Sequence, residues 1–145
     1  GDTTHSRVAK SLILGLNIMG RNNIILIGPT EFTQHNLSST HNISTTTCLT
    51  EGIEEADVII CLRIQKERIP EANLPSDELF FDRFALTQER LQSAKTKAII
   101  LHPGPVNRGI EVDSRVIDGH QSQILTQVQN GVPIRMAILE LLLDY

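Results

Sequence analysis

Hydrophobic positions along the chain follow two spacings, one typical of helices and one typical of buried strands. Over residues 4–19 apolar side chains recur every three or four positions, which predicts a helix that ends at Gly20. Continuous aliphatic runs predict strands that are buried on both faces. The strands expected from these runs, and from one β-branched stretch, are residues 24–27, 43–47, 58–62 and 98–101. Helices that alternate with such strands predict an α/β fold with an open parallel sheet.

The segments between and after the strands predict further helices. Short helices are expected at residues 50–56, at 87–94 and, within a long loop at 66–86, after Pro75-Ser76. In the tail, residues 121–129 predict one helix that Asn130-Gly131 ends, and Pro133 opens a second, as proline favours the first helical turn. A doubly wound, Rossmann-like sheet of strand order 3-2-1-4-5 has a central first strand and helices on both faces. That strand would immediately precede Gly1, so we expect the first strand to be truncated.

Composition and charge exclude several classes of protein. The chain has 145 residues, the size of one domain, and residues 1–145 are treated as one. A net charge of −4 and 3% aromatic residues disfavour nucleic-acid binding, which relies on basic side chains and stacking rings. No apolar run approaches the roughly 20 residues that cross a bilayer, so no membrane contact is expected. Two cysteines suit a reducing compartment, here the cytoplasm. Because the chain lacks an initiator Met, we expect a fragment.

Basic side chains follow three of the expected strands. Ligands of open α/β sheets bind outside the carboxyl ends of the strands. The segments at those ends are TTHSR after Asp2, RIQKER after Leu62 and HPGPVNRG after Leu101. Each brings an arginine, and guanidinium groups bind carboxylates or phosphates through two hydrogen bonds. The sequence therefore predicts a site for a small polyanion.

Some of these residues also have a plain structural interpretation. Arg68 and Arg108 each suit a surface salt bridge, which is the commoner role for a single arginine. His5 could be a ligand, a general base or a hydrogen-bonded structural residue, and His102 is expected to orient the backbone of the turn that follows it. No Cys/His pair has zinc spacing, so no metal is expected. No G-x-G-x-x-G follows a strand, which disfavours a dinucleotide cofactor.

Four motifs in this order resemble the aspartate-binding half of the aspartate carbamoyltransferases. They are GDTTHSRVAKS, LRIQKER, LHPGPVNRGIEVDSRV and QSQILTQVQNGVPIRMAIL, and the resemblance extends over nearly the whole chain. It implies transfer of a carbamoyl group from carbamoyl phosphate to L-aspartate in de novo pyrimidine biosynthesis, with no cofactor. It also implies a homotrimer of the full-length enzyme, with regulatory or dihydroorotase-like chains as further candidate partners.

The resemblance assigns roles residue by residue. Arg7, in HSR, is similar to the arginine that holds the aspartate α-carboxylate. Arg63, in LRIQ, resembles the arginine that holds the side-chain carboxylate, with Gln65 assisting. Gly104 and Pro105, in HPGP, resemble the pair whose backbone meets the carbamoyl group of carbamoyl phosphate. A cis bond before Pro105 is implied as well.

Other family features do not occur in this chain. The phosphate-binding Ser-x-x-Thr-Arg segment, the carbamoyl-polarising His and the mobile-loop Lys belong to an amino-terminal domain that is absent here. The resemblance thus implies no catalytic residue on this chain alone, and we expect it to be inactive by itself.

Two alternatives stay open. An ornithine-type carbamoyltransferase would carry Cys-Leu in place of Pro103-Gly104 and recognise an amino group, which Arg63 argues against. A non-catalytic homologue that serves as an assembly or regulatory subunit is the second alternative. A non-catalytic homologue is expected to have lost its substrate-binding residues, and the presence of Arg7, Arg63 and Gln65 argues against such a loss.

Overall fold

The computed structural model describes residues 1–20, 22–33, 42–70 and 74–143. The helices in these ranges are α1 (Arg7–Met19), α2 (Leu49–Ile53), α3 (Asp77–Phe84), α4 (Gln88–Leu91), α5 (Ser114–Ile117) and α6 (Ile124–Leu143). The strands are β1 (Ile24–Ile27), β2 (Ile43–Thr46), β3 (Val58–Ile60) and β4 (Ile99–Leu101), and single 3-10 turns lie at Thr30–Phe32 and Lys66–Arg68. The α/β class and all four expected strands are confirmed.

All strand pairs are parallel, as predicted, but they form two small sheets. Strand β1 pairs with β2, with Ile24 opposite Ile43, and β3 pairs with β4, with Val58 opposite Ile99. This separation agrees with the expected truncation of the first strand, which would leave a gap between the two pairs. The observed neighbours fit the order 3-2-1-4-5, in which β1 and β3 lie on either side of the first strand. The presence of that strand in a longer chain stays a prediction.

The beginning of the chain lies between the carboxyl ends of the two sheets. The Gly1 ammonium donates to the Ile27 carbonyl at 2.6 Å. A Cβ on Gly1 would lie 2.6 Å from the Leu62 carbonyl oxygen, and one on Gly28 would lie 2.6 Å from the Gly1 carbonyl oxygen. Glycine is required at both positions because backbone passes so close. The residues after Gly1 thus start where β1 and β3 end.

Helix α1 begins later than expected, at Arg7. The Ser6 hydroxyl caps it by accepting from the Ala9 amide at 3.2 Å, while the amides of Thr3 and Thr4 donate to the Phe32 carbonyl at 3.0 Å. Residues 3–5 therefore form a turn instead of a first helical turn. The predicted end at Gly20 is confirmed, and its φ of 68° is the left-handed conformation that favours glycine.

Two apolar clusters form the core. The larger one surrounds β3 and β4 and includes Ile59, Ile100 and Val116. The smaller one packs Phe80 and Phe84, one turn apart on α3, against Phe32 and Ile64. Ile64 belongs to this second cluster. The segment that follows β3 is therefore held in the core at Ile64, while the basic residues on either side of it, Arg63 and Lys66, reach solvent.

The tail forms one helix, and the prediction of two helices is wrong. Helix α6 runs from Ile124 to Leu143 with Pro133 inside it. Gly131 does not adopt the positive φ that would end a helix. A break here would leave several amides and carbonyls without partners, whereas an internal proline removes one hydrogen bond. No helix in the described ranges is long and apolar enough to cross a membrane.

Candidate functional site at the carboxyl ends of the strands

A buried carboxylate connects two of the basic segments. Asp2 is fully buried, and its Oδ1 accepts from the His5 amide at 3.1 Å and from His5 Nδ1 at 2.9 Å. The other carboxylate oxygen of Asp2, Oδ2, accepts from the backbone amide of Gln65 at 3.5 Å. Arg68 adds a second connection, because its Nη1 donates to the His5 carbonyl at 2.9 Å. The turn before α1 and the segment after β3 are thus fixed to each other.

Arg7 is the first residue of α1 and is exposed to solvent. Its position follows from the Ser6 cap, which starts the helix directly after the turn that Asp2 and His5 stabilise. The positive end of the helix backbone adds to the charge of the guanidinium at this place. The arrangement favours an anion in front of α1.

Arg63 already binds a carboxylate in this structure. Its Nη1 donates to Oε2 of Glu67 at 3.2 Å, and its Nη2 donates to Oε1. The hydrogen bonds from Arg63 lower the pKa of Glu67 below its ordinary value. Arg63 is partly exposed and Glu67 is largely exposed, so both can reach a ligand. The guanidinium is oriented for two-point recognition of a carboxylate.

Gln65 lies two residues after Arg63, and its backbone amide donates to the Asp2 carboxylate. Its side-chain Oε1 is buried and has no hydrogen-bond partner among the described residues. A buried amide oxygen without a donor is rare, because the lost hydrogen bond costs about 1–3 kcal/mol. A ligand that carries a donor would satisfy it.

The turn after β4 has the expected backbone geometry. The Gly104–Pro105 bond is cis, as predicted, and Gly104 has a φ of 74°. Both residues are exposed, whereas His102 is fully buried. His102 holds the turn as expected, because its Nδ1 accepts from the Gly104 amide at 2.9 Å.

The third arginine makes a surface salt bridge. Arg108 donates to both carboxylate oxygens of Asp118, at 2.8 and 2.9 Å, and both residues are exposed. A surface salt bridge is the structural role that the sequence offered for Arg108 as the alternative to ligand binding. The expectation that each strand end contributes an arginine to one shared site therefore receives no support at Arg108. Arg68 also has a structural partner, the His5 carbonyl.

Within the described ranges, neither a metal-ligand cluster nor a reactive buried thiol occurs. No cluster of three His, Cys, Asp or Glu side chains that could hold a metal occurs among the described residues. Burial raises the pKa of the Cys61 thiol to about 12, so this sulfur is not a nucleophile near neutral pH. Cys48 is free and half-buried.

Sequence reasoning missed three acidic residues at the site. Asp2 connects two segments, Glu67 pairs with Arg63, and the buried Glu111 contacts the His102 ring at 3.0 Å. Of these, Glu67 had a local signal, since it lies four residues after Arg63. The contacts of Asp2 and Glu111 depend on the fold.

The chain has a parallel α/β fold, with basic segments after β3, after β4 and at the start of α1. The family model described as aspartate/ornithine carbamoyltransferase, Asp/Orn binding domain, matches residues 1–142. The chain belongs to the aspartate/ornithine carbamoyltransferase family.

Two relatives that this chain resembles in sequence are aspartate carbamoyltransferase catalytic subunits. The aspartate carbamoyltransferase catalytic subunits of Ruthia magnifica and Vesicomyosocius okutanii are 47% and 46% identical to this chain, over 99% and 98% of its length. The match covers 45% and 44% of those relatives, so the chain spans less than half of their length.

Solved structures agree on the fold. The catalytic subunit of M. jannaschii aspartate transcarbamoylase has a TM-score of 0.83 at 28% identity, over 99% of this chain and 48% of that one. The Trypanosoma cruzi enzyme, solved with carbamoyl aspartate and phosphate, has a TM-score of 0.78 at 25% identity, over 96% of this chain and 46% of that one.

Proposed function

We propose that this chain is the aspartate-binding half of an aspartate carbamoyltransferase. The complete enzyme would transfer the carbamoyl group of carbamoyl phosphate to the amino group of L-aspartate, releasing phosphate, as a step of pyrimidine biosynthesis. The observation that carries the proposal is the two-point contact of Arg63 with a carboxylate, in a segment fixed by Asp2 to the start of α1. The names of the relatives support the same substrate.

The residues contribute by binding and orientation. Arg7 would hold the α-carboxylate of aspartate, and Arg63 would hold its side-chain carboxylate after displacing Glu67. The unpartnered Oε1 of Gln65 would accept a hydrogen bond from the substrate's amino group. The backbone at Gly104 and Pro105 would meet the carbamoyl group. Such positioning converts a bimolecular encounter into a reaction between fixed groups.

The chemical step needs groups beyond this chain. Phosphate binding and polarisation of the carbamoyl oxygen would come from the amino-terminal domain of the complete enzyme. Electrostatic stabilisation is usually the largest contribution to catalysis, so half a site should not turn over. We therefore expect the 145-residue chain to bind aspartate or succinate weakly and to show no carbamoyl transfer. Detectable turnover by the purified chain would contradict this.

Assembly and location follow from the same proposal. The complete enzyme is proposed to be a cytoplasmic homotrimer that uses no cofactor, and regulatory or dihydroorotase-like chains remain candidate partners. Light scattering of the complete enzyme measures its mass directly. A stable monomer with full activity would contradict the trimer.

The decisive experiment uses the complete catalytic chain with Arg63→Ala. Loss of a guanidinium from a desolvated charge pair costs roughly 2–5 kcal/mol, so the aspartate KM should rise about 30-fold or more. Arg108→Ala removes an exposed arginine from a surface salt bridge and should leave KM unchanged.

The result also separates the alternatives. An unchanged aspartate KM in Arg63→Ala would remove Arg63 from the site. Wild-type activity with ornithine in place of aspartate would favour the ornithine-type alternative. No transfer to either substrate by the complete wild-type chain would favour a non-catalytic assembly or regulatory subunit.

A further inference from the structure

The buried carboxylate of Glu111 contacts both ends of the turn that follows β4. Its Oε1 accepts from Nε2 of His102 at 3.0 Å and from the Asn107 amide at 2.7 Å. We propose that Glu111 is a positioning residue that fixes, through His102, the orientation of the Gly104–Pro105 backbone. The proposal rests on the function proposed above, since it concerns the part of that site that would meet the carbamoyl group.

The hydrogen bonds of His102 define where its proton lies. Nδ1 accepts from the Gly104 amide at 2.9 Å, so this nitrogen carries a lone pair. The proton of the neutral ring is then on Nε2, and Nε2 donates to the Glu111 carboxylate. The carboxylate thus selects the ring form that can accept from Gly104. Without Glu111 the ring could carry its proton on Nδ1, which would lose the hydrogen bond to the turn.

Packing alone does not hold this turn in place. Gly104 and Pro105 are exposed, and a Cβ built on Gly104 would meet nothing within 4 Å. Val106 in the same turn packs against the larger core cluster, whereas the described contact that orients Gly104 itself is a hydrogen bond. The backbone amide of His102 makes a further hydrogen bond, since it donates to Oε1 of Gln127 on α6 at 3.0 Å. This contact fixes the backbone of the residue that carries the ring.

Stability by itself gives no reason for an acid at this position. Glu111 is 3% exposed, no cationic side chain pairs with it within the described ranges, and its Oε2 is buried without a partner. Burying a carboxylate is costly, and apolar side chains of similar volume are often as stable or more so. A requirement to orient the turn accounts for retaining this acid in the core.

The test compares three variants of the complete catalytic chain. Glu111→Ala removes the oxygen that accepts from His102, and Glu111→Gln keeps an acceptor oxygen there. Val116→Ala is the control, because Val116 is a buried core residue outside the turn. Glu111→Ala should lower kcat about 10–100-fold with little change in the aspartate KM, because a displacement of about 1 Å can cost that much. Glu111→Gln should recover most of kcat, and Val116→Ala should retain it.

Two NMR readouts test the orientation itself. Nitrogen-15 shifts of His102 report which ring nitrogen is protonated, and hydrogen exchange reports protection of the Gly104 amide. In Glu111→Ala the Nε2-protonated form should decrease and Gly104 exchange should accelerate at least about tenfold, while Val116→Ala leaves both as in wild type. Should Glu111→Ala fail to fold, Glu111→Met fills the same space without an acceptor and carries the same expectations.

Distinct results overturn the positioning role and the proposed function. Unchanged kcat in Glu111→Ala, or equal losses in Glu111→Ala and Val116→Ala, would overturn the positioning role. Absence of carbamoyl transfer by the wild-type enzyme would overturn the proposed function only. In that event the NMR readouts decide: a turn that loosens in Glu111→Ala supports the role of Glu111, and an unchanged turn refutes it.

Discussion

Arg63 donates through both terminal nitrogens to the carboxylate of Glu67, four residues further along the chain. The pair follows β3 directly, at the end of the sheet where a ligand is expected. The guanidinium is therefore held by an internal carboxylate in the absence of substrate, and its orientation does not depend on the ligand.

Replacing Arg63 should change the titration of Glu67. The hydrogen bonds from Arg63 are the largest cause of the lowered Glu67 pKa. In Arg63→Ala we expect this pKa to rise toward the ordinary range of a glutamate. Carbon-13 NMR of the Glu67 carboxyl across pH 2–7 measures it, and Arg108→Ala serves as the control. Identical curves in wild type and Arg63→Ala would mean that the ion pair does not form in solution.

Gly104 should tolerate substitution poorly, in contrast to Gly15. A side chain in the left-handed conformation costs roughly 1–2 kcal/mol, and Gly104 has a φ of 74° although there is space around it. Gly104→Ala should therefore destabilise the protein by about that amount. Gly15 lies inside α1 with open space at its Cβ, so Gly15→Ala should stabilise by roughly 0.5–1 kcal/mol. Urea unfolding of both variants measures the difference, and shifts of the same sign would contradict this prediction.

The separation of the two sheets predicts a defect in folding. The edges of β1 and β3 are not paired with each other, and Ile25 and Val58 on these strands are 44% and 46% exposed. Unpaired strand edges with exposed apolar side chains are templates for pairing with other chains, which promotes aggregation. A chain that starts at Gly1 should therefore be aggregation-prone or partly molten.

Adding about 5–6 residues of the natural strand before Gly1 should restore cooperative unfolding. Near-ultraviolet circular dichroism during urea titration distinguishes the two chains, and a scrambled extension of equal length is the control. Cooperative unfolding of the monomer that starts at Gly1 would show that the assumed strand order is wrong.

Much of the fold was predictable because its signals are local. Three aliphatic runs and one β-branched stretch predicted the strands, and Gly20 predicted the end of α1, whereas the start that Ser6 caps lies three residues later than expected. The tail misled the prediction, because Asn130-Gly131 and Pro133 are local stop signals that a continuous helix accommodates. Propensity is a weak guide where breaking the helix costs more hydrogen bonds than retaining a proline.

The candidate site was predictable only in part, for a similar reason. Arg7 and Arg63 were predicted because each follows an expected strand, where ligands of such sheets bind, whereas Gln65 was implied only by the resemblance to the carbamoyltransferases. The carboxylates nearby were missed, since Asp2 contacts Gln65 across 63 positions of sequence and Glu111 acts through a folded turn.

The Asp2 carboxylate has one more consequence for substrate choice. It joins the turn that precedes Arg7 to the segment that carries Arg63, so the backbone sets the spacing between the two points from which the arginine side chains extend. If each arginine holds one carboxylate as proposed, that spacing acts as a length gauge. Dicarboxylates one methylene longer than aspartate would then be rejected by a distance fixed in the main chain, and flexible arginine side chains could compensate only in part.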